Sequence, residues 1–141
     1  REAVADGLPT VAECGGFLYL HTTLTDREGH SYPMVGVLPG KCFDTGHLVR
    51  FGYIELEESS GYFMSHGSSI RAHEFHYYDS EDNGADCIAT KPVTGRNYPC
   101  IHVGENRWYG FPHLYYPSCP EFAKRFVENA KKFSKSGKDV L

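Results

Sequence analysis

Thr10-Val11-Ala12-Glu13-Cys14-Gly15-Gly16-Phe17-Leu18-Tyr19-Leu20 is the stretch on which the reading of the fold turns. Thr10 to Glu13 has the composition of a short strand, while Phe17, Leu20 and Leu24 fall on one face of a helix. The pattern predicts strand, sharp turn, helix, with Cys14 at the turn. A nucleophile held there projects from the sheet over the positive end of the helix, which favours thiolate. Small neighbours suit a crowded backbone, and Gly15-Gly16 supply them. The Gly15 N–H is placed to meet an oxyanion forming beside the sulfur. Taken locally, the same residues read equally well as a small buried thiol followed by a glycine-rich helix start.

Upstream, Glu2 to Asp6 reads as the tail of a helix capped by Gly7, and Leu8-Pro9 turns the chain into the strand. Arg1 is no initiator, so a fragment of a longer protein is expected. Downstream, β-rich runs at Tyr32 to Val37, Val49 to Leu56 and Ile70 to Tyr77 are separated by Pro39-Gly40, Gly46 and Ser59-Ser60-Gly61, and predict antiparallel or edge strands. Asp79 to Gly84 is a polar connection and Lys91 to Tyr98 a loop, with further strands at Cys87 to Ala89 and Trp108 to Phe111. Ser118, Pro120 and Glu121 open a final helix. Phe122, Phe126, Ala130 and Phe133 share its expected buried side, and Lys131, Lys132 and Lys135 sit near its negative end. The whole predicts one α/β domain, incomplete at its N-terminus.

Composition narrows the function. The net charge is −4, with the lysines gathered toward the end, and no basic stripe is present to follow a phosphate backbone, so no nucleic-acid partner is expected. Five cysteines at irregular spacing, without a Cys-x-x-Cys pair, fit neither a disulfide framework nor a zinc ribbon and point to a reducing, cytoplasmic setting. No apolar run approaches the roughly 18 to 20 residues that cross a bilayer, so no membrane partner is expected.

Ala12-Glu13-Cys14-Gly15-Gly16-Phe17-Leu18-Tyr19-Leu20 is similar to the Ala-Glu-Cys-Gly-Gly-hydrophobic-Met/Leu-Tyr-Leu signature of cobyrinate a,c-diamide synthases. Further stretches agree in order: Met34-Val35-Gly36-Val37-Leu38-Pro39-Gly40, Phe51-Gly52-Tyr53 and His73-Glu74-Phe75-His76-Tyr77. The resemblance is to the C-terminal, triad-type class I glutamine amidotransferase domain of that family. It implies a flavodoxin-like three-layer fold, Cys14 as nucleophile, and Gly15 and Gly16 lining the oxyanion and substrate site. Tyr109-Gly110-Phe111-Pro112-His113-Leu114-Tyr115-Tyr116 corresponds to the family's Ala-Ser-Tyr-Leu-His-Leu-His-Phe and makes His113 the base. By itself, His113 also reads as a loop histidine beside aromatic packing. Most class I members carry a glutamate where Tyr115 stands, and this family lacks it too. A glycine-rich loop completing the oxyanion hole would precede Arg1.

The resemblance further implies that residues 1–141 are the C-terminal portion of the amidotransferase domain. This portion is expected to hold no cofactor, because ATP and Mg²⁺ act in a synthetase domain absent from this chain. Glutamine is the donor and a corrinoid, cobyrinate, the acceptor; a homodimer is left open. Cobyric acid or nickel-sirohydrochlorin amidation, and a catalytically dead docking module, are the competing readings.

His73-Glu74-Phe75-His76 invites a metal reading. On a strand, however, His73 and Phe75 face one way while Glu74 and His76 face the other, so two ligands do not converge and no metal site is expected. The family resemblance implies instead that Glu74 and His76 hydrogen-bond near the active-site mouth or to the companion domain.

Overall fold

Glycine and proline punctuate the chain into short elements within residues 1–137, which the computed structural model describes. A single helical turn, α1 (Glu2–Ala5), ends at Gly7 and is followed by β1 (Thr10–Glu13) and the short helix α2 (Gly15–Tyr19). Small strands come next: β2 (Thr23–Thr25), β3 (Ser31–Pro33) and β4 (Lys41–Asp44). The long strands β5 (Arg50–Glu58) and β6 (Ser69–His76) lead to β7 (Tyr78–Ser80), β8 (Cys87–Thr90) and β9 (Asn97–Cys100). The chain closes with β10 (His102–Gly104), β11 (Arg107–Gly110), β12 (His113–Leu114), a 3-10 turn over Tyr116–Ser118, and α3 (Pro120–Lys135).

These strands make three sheets, in the orders β1-β11-β10, β12-β6-β5-β8-β9 and β3-β2-β4-β7. The pairs β1/β11 and β2/β4 are parallel and the other pairings between named strands are antiparallel. The expected α/β class holds, with strands predominating. No helix among the described residues is long and apolar enough to cross a membrane.

Two cores hold the sheets together. In the larger, Ile54, Leu56, Ile70 and Ala72 project from the buried faces of β5 and β6, where alternate residues point inward. They pack with Trp108 and with Phe122 of α3. Phe122 stacks on Phe63 at 4.9 Å and meets the Trp108 ring edge-on at 4.9 Å. The smaller core joins Ala12 and Phe17 on either side of the Cys14 turn to Tyr109 and Phe111, so the turn rests on a packed base. Buried Glu58 would be costly unpaired. Its carboxylate accepts from the Ser60 hydroxyl and from the backbone N–H groups of Tyr62, Phe63 and Met64, which shapes the turn after β5. Between β9 and β10 the chain passes from one sheet to another at Ile101, whose φ is +67°. Gly84 packs so closely on that peptide that a Cβ there would lie 2.3 Å from the Ile101 carbonyl carbon.

Several expectations are corrected. The helix after Cys14 stops at Tyr19, and Leu24 is strand, because β2 pairs with both β3 and β4. Part of the expected 91–98 loop is strand, where Asn97 and Tyr98 face Thr90 and Ala89. On α3, Ala130 is exposed, since the helix docks mainly through its first turns. Ser118 does not cap α3; its hydroxyl accepts the Arg71 N–H at 2.9 Å and donates to the Tyr115 carbonyl at 2.8 Å, joining the 3-10 turn to β6.

Candidate active site

The site begins with the parallel pair β1/β11, which sets Glu13 beside Gly110. Cys14 leaves the end of β1 with its N–H donating to the Gly110 carbonyl at 2.9 Å, and its own carbonyl accepts the Leu18 N–H at 3.0 Å. Between these anchors its backbone is held at φ 48°, ψ −106°. A non-glycine residue at such a φ costs about 1–3 kcal/mol, and persists where its surroundings over-determine it. The elbow expected from the sequence is present. The expected crowding of the glycines is not: a Cβ on Gly15 would meet nothing within 4 Å, and one on Gly16 would make an ordinary 3.6 Å contact with the Ala12 Cβ. The strain lies in Cys14 itself, and the space over Gly15 is open.

Burial pushes the Cys14 thiol pKa up, the Gly15 N–H bonded to it acts downward, and the Glu13 carboxylate raises it again; the net direction is up. The thiolate expected from the helix dipole is therefore not favoured in the free protein, because burial outweighs the Gly15 N–H, the Glu13 charge adds to burial, and α2 has only 5 residues. The alkylation rate of Cys14 by iodoacetamide follows its thiolate fraction. We expect that rate, measured without glutamine, to keep rising with pH beyond the ordinary thiol value of 9.0. A plateau near neutrality would contradict this environment.

Glu13 has a part that the sequence did not reveal. Its carboxylate accepts the Leu114 N–H at 3.1 Å and the Tyr116 hydroxyl, so the residue before the cysteine fastens the segment that carries His113. Burial first, and this bond second, push the Tyr116 phenol pKa up. The only available signal was a charged residue placed at the end of a strand.

His113 lies on β12, opposite His73 of β6. It is exposed, and it lines a cavity of about 740 Å³ together with Tyr53, Arg71, His73 and Tyr115. Cys14 opens into a different cavity of about 590 Å³, shared with Arg27, Asp44, Phe75, His76 and Phe111. Cys14 directly follows Glu13, and His113 follows Gly110, the β11 partner of Glu13, by three residues. Among the described residues, however, no hydrogen bond joins the Cys14 sulfur to a histidine ring. Tyr115, in the place of the usual glutamate, is exposed and donates its N–H to the Arg71 carbonyl at 2.8 Å.

Glu74 and His76 share the buried face of β6, while His73 and Phe75 on the other face are more open, as strand alternation requires. His76 Nδ1 donates to the Tyr78 carbonyl at 2.7 Å, which places a proton on that nitrogen. Its Nε2 lies 3.9 Å from Glu74 Oε1, too far for a hydrogen bond, and has no hydrogen-bond partner. The imidazole stacks face to face on Phe111, with centroids 3.9 Å apart. Phe111 stands two residues before His113, so the ring steadies the link between the two candidate catalytic residues. Glu74 accepts from the Tyr98 hydroxyl and has Lys91 Nζ at 3.8 Å. Burial alone would raise its pKa, but His76, Tyr98 and the Arg50 charge outweigh burial and hold it below the usual carboxylate value. No group of three or more His, Cys, Asp or Glu side chains among the described residues is placed to hold a cation.

Residues 1–104 match the CobB/CobQ-like glutamine amidotransferase domain. That span contains Cys14, Gly15, Gly16, Glu74 and His76, and ends before His113. The chain is 36% identical over 138 residues to a cobyrinate a,c-diamide synthase of Caldanaerobacter subterraneus, covering 96% of this chain and 30% of that protein. It is 31% identical over 144 residues to that of Priestia megaterium, with 100% and 31% covered. With that of Thermoplasma volcanium it shares 33% over 134 residues, with 94% and 29% covered. The chain thus spans about 30% of the length of these curated relatives.

Proposed function

We propose that this chain, which belongs to the family of CobB/CobQ-like glutamine amidotransferase domains, is the glutamine-hydrolysing portion of a cobyrinate a,c-diamide synthase. In this reading it completes a flavodoxin-like three-layer amidotransferase domain and works in the cytoplasm. It supplies ammonia to a companion synthetase domain, which uses ATP and Mg²⁺ to amidate corrinoid carboxylates. ATP and Mg²⁺ belong to that companion domain in this reading, and no step below is routed through either.

The observation that supports the reading is Cys14 itself. It is a strained nucleophile at a strand-to-helix turn, with the Gly15 N–H on its sulfur and a cavity open before it. The sulfur attacks the side-chain amide carbon of glutamine as His113 takes the thiol proton. The Gly15 N–H stabilises the oxyanion, with Gly16 keeping the approach clear. The C–N bond breaks, His113 returns the proton to nitrogen, and ammonia leaves with a glutamyl thioester on Cys14. Water then adds to the thioester, giving glutamate and the free thiol. Because the thiol pKa is raised, proton removal is part of the attack, and His113 must turn from its own cavity toward Cys14.

The acceptor depends on the companion domain, so cobyric acid and nickel-sirohydrochlorin amidation share this chemistry. The separation of Cys14 and His113 into two cavities favours one different reading, a catalytically dead module that only docks. Mass-spectrometric mapping of the full-length protein after treatment with a glutamine-mimicking diazo-ketone separates the two. Labelling confined to Cys14 and blocked by glutamine is the expected result; an unlabelled Cys14 in folded protein would leave the docking reading.

A further inference from the structure

Arg27 and Asp44 are part of the wall of the cavity into which Cys14 opens. Asp44 ends β4 and Arg27 lies in the turn after β2, two strands that run parallel with Thr25 beside Phe43. Asp44 is the next residue after Phe43 and Arg27 follows Thr25 by two, so a cation and an anion emerge from the same ends of adjacent strands. The Arg27 guanidinium makes no ion pair with a described residue. One oxygen of Asp44, Oδ1, is fixed by the Gly46 N–H at 2.7 Å, which holds the carboxylate in one orientation. Tyr78 lies across from Asp44 in β7 and lines the same cavity. Burial first, and the Asp44 charge next, push its phenol pKa up, so the field of Asp44 reaches this wall.

We infer that Arg27 and Asp44 are the specificity-determining pair that reads the zwitterionic head of free glutamine while its side-chain amide reaches Cys14. The inference rests on the glutaminase reading above. Free glutamine carries a carboxylate and an ammonium on one carbon, a spacing that suits a fork-shaped guanidinium beside a carboxylate. The rings of Phe75 and Phe111 provide apolar surface for the methylenes in between, and about 590 Å³ is ample for an amino acid. A simple primary amide, or a glutaminyl residue within a peptide, lacks the two charges and is not held.

The test compares two reagents for Cys14 in the full-length protein. The diazo-ketone mimic carries the zwitterion; iodoacetamide does not. In Arg27→Ala and Asp44→Asn the second-order rate of diazo-ketone labelling falls by about tenfold or more, and the KM for glutamine rises by a similar factor. Iodoacetamide labelling stays at the wild-type rate. Asparagine keeps an oxygen for the Gly46 N–H, so the turn survives. Wild-type diazo-ketone rates in both variants, with glutamine still protecting Cys14, would overturn the pair and leave the glutaminase reading intact. Equal losses with both reagents would overturn it as well, because the side chains would then be shaping the cavity rather than reading the substrate. If Cys14 of the wild-type protein takes no diazo-ketone, both proposals fall.

Discussion

Cys14→Ala removes glutamine-dependent amidation from the full-length protein by a factor on the order of 10⁴ or more, while amidation from added ammonium salts stays close to wild type. The size follows from what is lost. No other thiol can take over: Cys42, Cys87, Cys100 and Cys119 are all buried, and burial pushes Cys42 up to about 11. The split between the two nitrogen sources follows from where the proposed steps occur, since in that reading glutamine is opened at Cys14 and the acceptor is amidated on the companion domain. Alanine keeps a Cβ at φ 48°, so the backbone of the turn is asked to do nothing new. Steady-state amidation with each nitrogen source checks this. Loss of both activities would give Cys14 a role in folding instead.

The second large effect separates the two histidines. His113→Ala lowers kcat with glutamine by about 10²- to 10⁴-fold, the range for removing a general base. His76→Asn keeps more than about a tenth of it, because an asparagine amide can still donate to the Tyr78 carbonyl and the loss is one of support. Both variants retain ammonia-dependent amidation. The pH profile adds an independent readout. The histidine-controlled limb of kcat/KM disappears in His113→Ala and survives in His76→Asn. The opposite pattern would move the base to His76, the histidine that shares the cavity of Cys14 in this conformation.

Much of the site was legible in advance because its signals are local. A short strand followed by Cys14-Gly15-Gly16 specifies an elbow, and the structure has one. The alternation that sets Glu74 and His76 on one face of a strand follows from backbone geometry and needs no neighbour. Leu24 shows where local reading stops. Its spacing from Phe17 and Leu20 fits a helix, but the hydrogen bonds offered by β3 and β4 outcompete that preference. The environment of Cys14 is a second such case. Helix polarity predicts a lowered pKa, whereas burial and the Glu13 charge reverse the sign, and neither can be read from the order of residues.

The sequence by itself determined the α/β class, the turn that exposes Cys14, the faces of the long strands, and the family resemblance that singled out His113. Each depends on contacts within a few residues or on a matching string. Only the tertiary structure decided which side chains share a cavity. Pairing of β12 with β6 draws His113 toward His73, and the Glu13 carboxylate clamps Leu114 and Tyr116 across about 100 residues of chain. The parallel pair β2/β4 brings Arg27 and Asp44 to the cavity into which Cys14 opens. Such contacts form only where distant strands compete for the same backbone hydrogen bonds, so they belong to the folded sheet and not to any one stretch of residues.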